Sequence, residues 1–114
     1  MYRIYAIKYA QHERRARENF IGGDIHDGPM PMDYFVWAII GDERSFIVDT
    51  GFDAAMAAKR GRQITHPVAE GLAKIGVDPH AVKDVVLTHM HYDHAGNHQP
   101  VSYTHLTLPT KRIV

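Results

Sequence analysis

Seven consecutive residues concentrate the chemistry of this chain: Thr88-His89-Met90-His91-Tyr92-Asp93-His94, followed by Ala95-Gly96-Asn97-His98. Neutral imidazole and ionised carboxylate are ligands that zinc accepts, and four such groups fall within six positions. In extended backbone, residues two apart project to the same side, so His89 and His91 can grip one ion together. Where the chain bends into the next element, Asp93 and His94 can turn towards a second ion. Two metals roughly 3.5–4 Å apart can share a bridging hydroxide, a nucleophile already deprotonated at neutral pH. Gly96 lets backbone pass close to such a cluster, and the short Ala95 leaves room beside it. The competing reading is a set of surface histidines in a loop, the usual fate of a lone histidine, and it does not suit four ligand-type residues at this spacing. His98, one residue past the pattern, reads as an exposed residue or as a group that orients a ligand. His12, His26, His66 and His80 fall in loops or helix starts and read as structural. Of these, His26 sits in a glycine-rich loop, where it can face a substrate.

Such a cluster needs a rigid support, and the run Asp84-Val85-Val86-Leu87-Thr88 supplies one as a buried strand that feeds directly into it. Tyr34 to Ile40 is the strongest strand, seven apolar residues rich in β-branched and aromatic types that suit burial on both faces. Gly41 to Arg44 marks a turn, and Ser45 to Thr50 completes a hairpin that ends in Val48-Asp49-Thr50-Gly51, where glycine permits a sharp exit. Met1 to Ala10 alternates as a first strand, with Ile4, Ala6 and Lys8 on one face and Tyr5, Ile7 and Tyr9 on the other. Asp53 caps a helix over Ala54 to Arg60 that Gly61 closes. A second helix starts near Thr65, with Pro67 in its first turn, and carries Val68, Leu72 and Ile75 on one stripe as far as Gly76. Gln11 to Phe20 sets Arg14, Arg15 and Arg17 among Glu13 and Glu18, a short exposed helical turn or a loop with a solvated, self-compensated surface rather than a phosphate-binding patch. Ile21 to Met32 holds Gly22, Gly23, Gly28, Pro29 and Pro31, and so reads as a long loop of the kind that serves as a binding element or lid. The order of elements gives an α/β fold, one layer of helices against a sheet.

Composition narrows the function classes. The 114 residues, with 13 basic and 13 acidic side chains, allow one domain and show no charge bias towards nucleic acid or an anionic membrane. Aromatic residues do not interleave with a basic stripe, so no nucleic-acid partner is expected. The apolar runs are too short to cross a bilayer, and no membrane partner is expected either. Without cysteine there is no disulfide framework and no thiolate zinc site, so any metal rests on nitrogen and oxygen, and nine histidines supply the nitrogen. Met1 to Ala10 lacks the basic start and unbroken apolar middle of a secretory signal, which makes a cytoplasmic protein the expectation.

The pattern H-x-H-x-D-H after a buried strand, with Val-Asp-Thr-Gly upstream, resembles the metallo-β-lactamase superfamily of zinc hydrolases. The resemblance spans Met1 to Gln99. It is closest to the N-acyl homoserine lactonase-like branch, through Met32-Asp33-Tyr34-Phe35-Val36-Trp37, Phe46-Ile47-Val48-Asp49-Thr50-Gly51-Phe52 and Leu87 to Asn97. It implies the N-terminal half of an αβ/βα sandwich, a mixed sheet with helices on one face. It also implies two zinc ions (Zn2+), with His89 and His91 on the first and Asp93 and His94 on the second, and Asp93 placed to hand a proton to the leaving alkoxide. Asp49 matches a family position that supports the site from below; a simple strand-end turn residue is the alternative reading. Later parts of the family's chain supply a third histidine, a bridging aspartate and a final histidine, none of which can be placed in Met1 to Gln99.

The resemblance therefore implies a parent protein that opens a lactone ring, with N-acyl homoserine lactones the favoured substrates, by attack of a metal-bound hydroxide. The 114-residue chain alone is expected to be inactive. Thioester, ester or β-lactam hydrolysis, or a truncated product without function, are the alternatives, and a homodimer of the parent is open. One segment stands apart: Val101 to Thr110 resembles the conceptual translation of a transposase adapter used in sequencing libraries. On that likeness residues 1–99 form a partial domain, and Pro100 to Val114 is a non-native tail outside the fold.

Overall fold

The computed structural model describes residues 1–96 and the backbone of residues 105–107. Strand β1 (Arg3–His12) pairs antiparallel with β2 (Met32–Ile40), and β2 with β3 (Ser45–Val48). β3 then runs parallel to β5 (Asp84–Val86), while the short β4 (Gln63–Ile64) joins the far edge of β1. The mixed sheet has the order β4-β1-β2-β3-β5-β6, with β6 (His105–Thr107) parallel to β5. Helices α1 (Ala16–Asn19), α2 (Ala54–Arg60), α3 (Val68–Lys74) and α4 (Tyr92–Ala95) complete the described chain, with a 3-10 turn at Pro79–Ala81.

Alternation decides which face is buried. Ile7 and Tyr9 of β1, Tyr34, Val36 and Ala38 of β2, Ile47 of β3 and Val85 of β5 form one apolar layer, covered by Ala57 of α2 and by Val68 and Leu72 of α3. Phe52, Val82 and Leu87 fill the space between sheet and helices. The opposite face carries Ile4, Phe35, Trp37, Ile39, Phe46 and Val48, all exposed or half-buried. Burial of Tyr34 to Ile40 on both faces is therefore not what the described residues show, because α2 and α3 pack against one side alone. No described helix is long and apolar enough to cross a membrane.

Helix α2 runs between its two expected signals: Asp53 Oδ1 accepts from the Met56 N–H at 2.8 Å, and Gly61 closes it in the left-handed conformation, φ 67°. Helix α3 is shorter than its apolar stripe suggested. Thr65 and His66 both donate their N–H groups to the Tyr9 carbonyl, at 2.9 and 3.3 Å, which commits them to the sheet edge, and the helix starts after Pro67. Those same bonds accompany a bulge in β1, where the register with β2 shifts between Lys8 and Ala10. The bulge lets Tyr9 and Ala10, neighbours in sequence, both face the core. Strand β4 was not expected as an element, two residues being too few to leave a periodic signal, whereas α1 is the short helical turn that was one of two readings of Gln11 to Phe20.

His98 and the adapter-like stretch lie outside the described residues, except for the backbone at 105–107. That backbone needs only to be extended to pair with the open edge of β5. The core makes a direct prediction. Leu72 is fully buried against β1, so Leu72→Ala should lower stability by about 2–5 kcal/mol in urea unfolding, and a loss under 1 kcal/mol would show that α3 does not pack there.

Candidate metal centre

The site begins where two parallel strands stop together. Ile47 pairs with Val85 and Val48 with Val86, so Asp49 and the residues after Val86 leave the same edge of the sheet side by side. The Asp49 N–H donates to the Val86 carbonyl at 2.8 Å, and the chain then turns sharply: Asp49 has φ 65°. A left-handed non-glycine residue costs about 1–3 kcal/mol and persists only where its surroundings fix it. Here they do. The Asp49 carboxylate has no exposure to solvent. Its Oδ1 accepts from the Thr88 N–H at 2.8 Å, both oxygens lie within 3.0 Å of the Thr88 hydroxyl, and Oδ2 lies 2.6 Å from His94 Nδ1.

These contacts set the histidines' protons. A carboxylate only accepts hydrogen bonds, so the Thr88 hydroxyl and His94 Nδ1–H are the donors. The Thr88 oxygen is then free to accept from His89 Nδ1–H, 3.0 Å away. Both imidazoles are thereby held with Nδ1 as the donor, which turns Nε2, the nitrogen left for a metal, towards the cluster. Thr88 carries no metal-ligand chemistry of its own, and sequence reasoning passed over it; its place immediately before the first histidine was the available signal. Of the two readings open for Asp49, the geometry matches support of the site from below.

The turn that carries Asp93 and His94 is stitched down by its own backbone. α4 is a single turn, so its carbonyls need partners outside the helix. The His94 carbonyl accepts from the Thr50 N–H at 2.7 Å and from the Thr50 hydroxyl at 3.1 Å, and the Asp93 carbonyl accepts from the Tyr9 hydroxyl at 2.9 Å. The Gly96 N–H donates to the Gly51 carbonyl at 3.0 Å. A Cβ on Gly51 would come within 3.1 Å of the Tyr9 ring and of Val68, and one on Gly96 would collide with the Tyr92 carbonyl, so this close approach needs both glycines. Burial, reinforced by the nearby Asp93 carboxyl, raises the Tyr9 hydroxyl far above its ordinary value, so it remains a donor at neutral pH.

The donors then converge. One ligand atom each from His89, His91 and Asp93 lie within 4.8 Å of one another. The His89 ring centroid is 4.6 Å from that of His91 and 3.9 Å from that of His94, and Asp93 Oδ2 is 3.3 Å from His94 Nε2. Asp93 thus stands between the two groups, close to the first pair of histidines and to His94 alike. Three or four nitrogen and oxygen donors without sulfur fit a divalent cation such as zinc, with His89, His91, Asp93 and His94 as the residues that would hold it. His89 and His91 are exposed, so the cluster opens to solvent. The remaining histidines stand apart: His26, His66 and His80 are exposed, and the His12 Nε2 lies 3.0 Å from Arg62 Nη1. Burial and the Arg62 charge lower the His12 pKa below the usual imidazole value.

Comparison with known proteins places the chain in a family and a fold. A family model described as the Metallo-beta-lactamase superfamily matches residues 30–105. Comparison with curated proteins returns no match. Among solved structures, a quorum-quenching N-acyl homoserine lactone lactonase is similar with a TM-score of 0.68 at 17% identity, over 90% of this chain and 43% of that one. An N-acyl homoserine lactone hydrolase with the product N-hexanoyl-L-homoserine at its catalytic metal centre follows at 0.64 and 15%, over 90% and 46%. A probable metal-dependent hydrolase from Staphylococcus aureus gives 0.54 and 16%, over 84% and 40%. The chain therefore spans less than half the length of these proteins, and at such identities the likeness concerns the fold. The site yields its own prediction: Asp49→Asn should weaken zinc binding about 10–100-fold in chelator competition at pH 7, whereas an unchanged affinity would mean that the buried carboxylate does not orient His94.

Proposed function

The chain belongs to the Metallo-beta-lactamase superfamily, and from that premise we propose that it is part of a zinc-dependent hydrolase that opens lactone rings, with N-acyl homoserine lactones as the substrate class. One observation carries the reading. Ligand atoms of His89, His91 and Asp93 gather at a strand edge, open to solvent, with His94 beside Asp93 and two of the imidazoles oriented through Nδ1 by a buried aspartate and a threonine. The lactone specificity draws on the similar structures, an N-acyl homoserine lactone lactonase and a hydrolase of the same lactones with its product bound.

A divalent cation at such a site polarises a carbonyl and makes water a competent nucleophile at neutral pH. In this reading His89 and His91 hold one such ion, and Asp93 and His94 a second. Asp49 and Thr88 keep the imidazole nitrogens aimed at the cluster. The Asp93 carboxyl, on a turn whose Asp93 main-chain carbonyl Tyr9 holds, takes up the proton released as water oxygen bonds to the lactone carbonyl carbon. It returns that proton to the ring oxygen as the carbon–oxygen bond breaks, leaving an acid and an alcohol. A zinc with catalytic function needs about three protein ligands, and four donors for two ions fall short of that. The reading therefore places turnover in a longer protein whose second half supplies the other ligands and covers the open sheet face. The 114-residue chain alone should bind zinc weakly and turn over no lactone.

Two tests follow. In the longer protein, stripped of metal and reloaded, His91→Ala and His94→Ala should each lower kcat/KM for an acyl homoserine lactone at least about 100-fold; full activity in either variant would overturn the reading, and faster turnover of a thioester than of the lactone would overturn its substrate. The reading of Pro100 to Val114 as adapter-derived is part of the same proposal. Sequencing the genomic locus through Pro100 should show a second hydrolase half, and a genomic codon run for Val101 to Thr110 would contradict it.

A further inference from the structure

Between two of the proposed ligands, His91 and Asp93, sits a residue that takes no part in the donor cluster. Tyr92 packs its ring against Phe52, with centroids 5.6 Å apart, and its hydroxyl lies 3.5 Å from that of Tyr34. Two arginines close on it: Arg62 Nε donates to the Tyr92 hydroxyl at 3.2 Å, and the Arg60 guanidinium stacks 3.9 Å from the ring centroid. We infer that Arg62 is a positioning residue for the metal loop, acting through the Tyr92 hydroxyl to hold His91 and Asp93 in place; this rests on the metal-site reading above.

Arg62 is firmly held on its own side and reaches the outer side of the loop through the Tyr92 hydroxyl. The Arg62 backbone is fixed at the closure of α2, where its N–H donates to the Ala57 carbonyl at 2.8 Å just past the left-handed Gly61. The next two residues pair with β1 as β4. Its guanidinium is held as well, donating from Nη1 to the Arg60 carbonyl at 2.6 Å, with His12 Nε2 3.0 Å away. A planar guanidinium anchored by two partners presents its remaining N–H in a set direction, which a lysine ammonium cannot do. On the inner side, Tyr9 and Thr50 hold the carbonyls of Asp93 and His94. The outer side rests on Tyr92, whose ring packs on Phe52 and Arg60 and whose hydroxyl accepts from Arg62 at 3.2 Å, with the Tyr34 hydroxyl farther off at 3.5 Å. Tyr34 of β2, Phe52 of the turn after β3, Arg60 of α2 and Arg62 beyond its cap meet at this side chain, so a small shift of the loop would break several contacts together.

The test uses the 114-residue chain and two readouts. The first is amide hydrogen exchange in the metal-free chain at Ala95 and Gly96, whose N–H groups bond the His91 and Gly51 carbonyls, against Ile7 and Val36 in the central strands. Arg62→Ala should speed exchange at Ala95 and Gly96 about tenfold while leaving Ile7 and Val36 within about twofold. Tyr92→Phe, which removes the hydroxyl and keeps the ring, should reproduce that effect, and the double variant should add nothing further. Arg62→Lys should not restore slow exchange. Equal acceleration at all four amides, no acceleration, or additive effects of the two substitutions would each overturn the proposal; if Arg62→Ala does not fold, Tyr92→Phe alone decides. The second readout is zinc affinity by chelator competition, expected to fall about tenfold in both variants. A wild-type chain that binds no zinc would count against the metal site, while the exchange result would still decide the role of Arg62.

Discussion

A carboxylate removed from water holds this site together. Burying such a group is costly unless its oxygens are well bonded, and Asp49 meets that condition with the Thr88 amide, the Thr88 hydroxyl and the His94 ring. Each bond has a second consequence. The Thr88 amide ties the exit of β5 to the exit of β3. The hydroxyl passes the ordering on to His89. The His94 bond fixes which ring nitrogen faces the donor cluster. The left-handed backbone at Asp49 is the conformational cost of turning its side chain beneath the histidines, and Gly51, two residues on, lets the metal turn lie directly against the strand exit.

The sheet serves that carboxylate. Parallel pairing of β3 with β5 brings Asp49 and Thr88 to one edge, a contact that hairpin connections alone would not make. α2 and α3 bury one face and so keep the edge rigid. The bulge in β1 turns Tyr9 inward, where its hydroxyl reaches the Asp93 carbonyl. The other face of the sheet, lined by Phe35, Trp37, Phe46 and Val48, is more apolar than a solvent face usually is. The chain's likeness covers less than half of the similar solved structures. Both facts suit the proposal that the donors described here are one part of a larger centre.

What could be read from the sequence divides along the range of the interactions. α2 was legible at both ends because its signals are local: Asp53 caps it and Gly61 ends it. The strand faces of β1 were legible because alternation needs only neighbouring residues. The start of α3 was not, since Thr65 and His66 are claimed by the Tyr9 carbonyl from a strand far away in sequence. The donor spacing from His89 to His94 was legible as metal chemistry, being written in six adjacent positions. Asp49 stayed between two readings, because its role depends on Thr88, 39 residues on. Tyr9, Tyr92 and Arg62 left no sequence signal at all; tyrosines in a strand or a turn and an arginine after a helix cap are ordinary there, and their gathering behind one loop is a product of the fold.

The central claim is that His89, His91 and His94 offer their Nε2 atoms to a divalent cation while Nδ1 stays protonated on two of them. Nitrogen-15 NMR of the imidazoles during zinc titration tests this most directly. The account predicts that the Nε2 resonances of these three residues move together into the metal-bound range, with Nδ1 of His89 and His94 remaining protonated. Zinc that instead shifts His26, His66 and His80 to the same degree, or coordinates His94 through Nδ1, would contradict it.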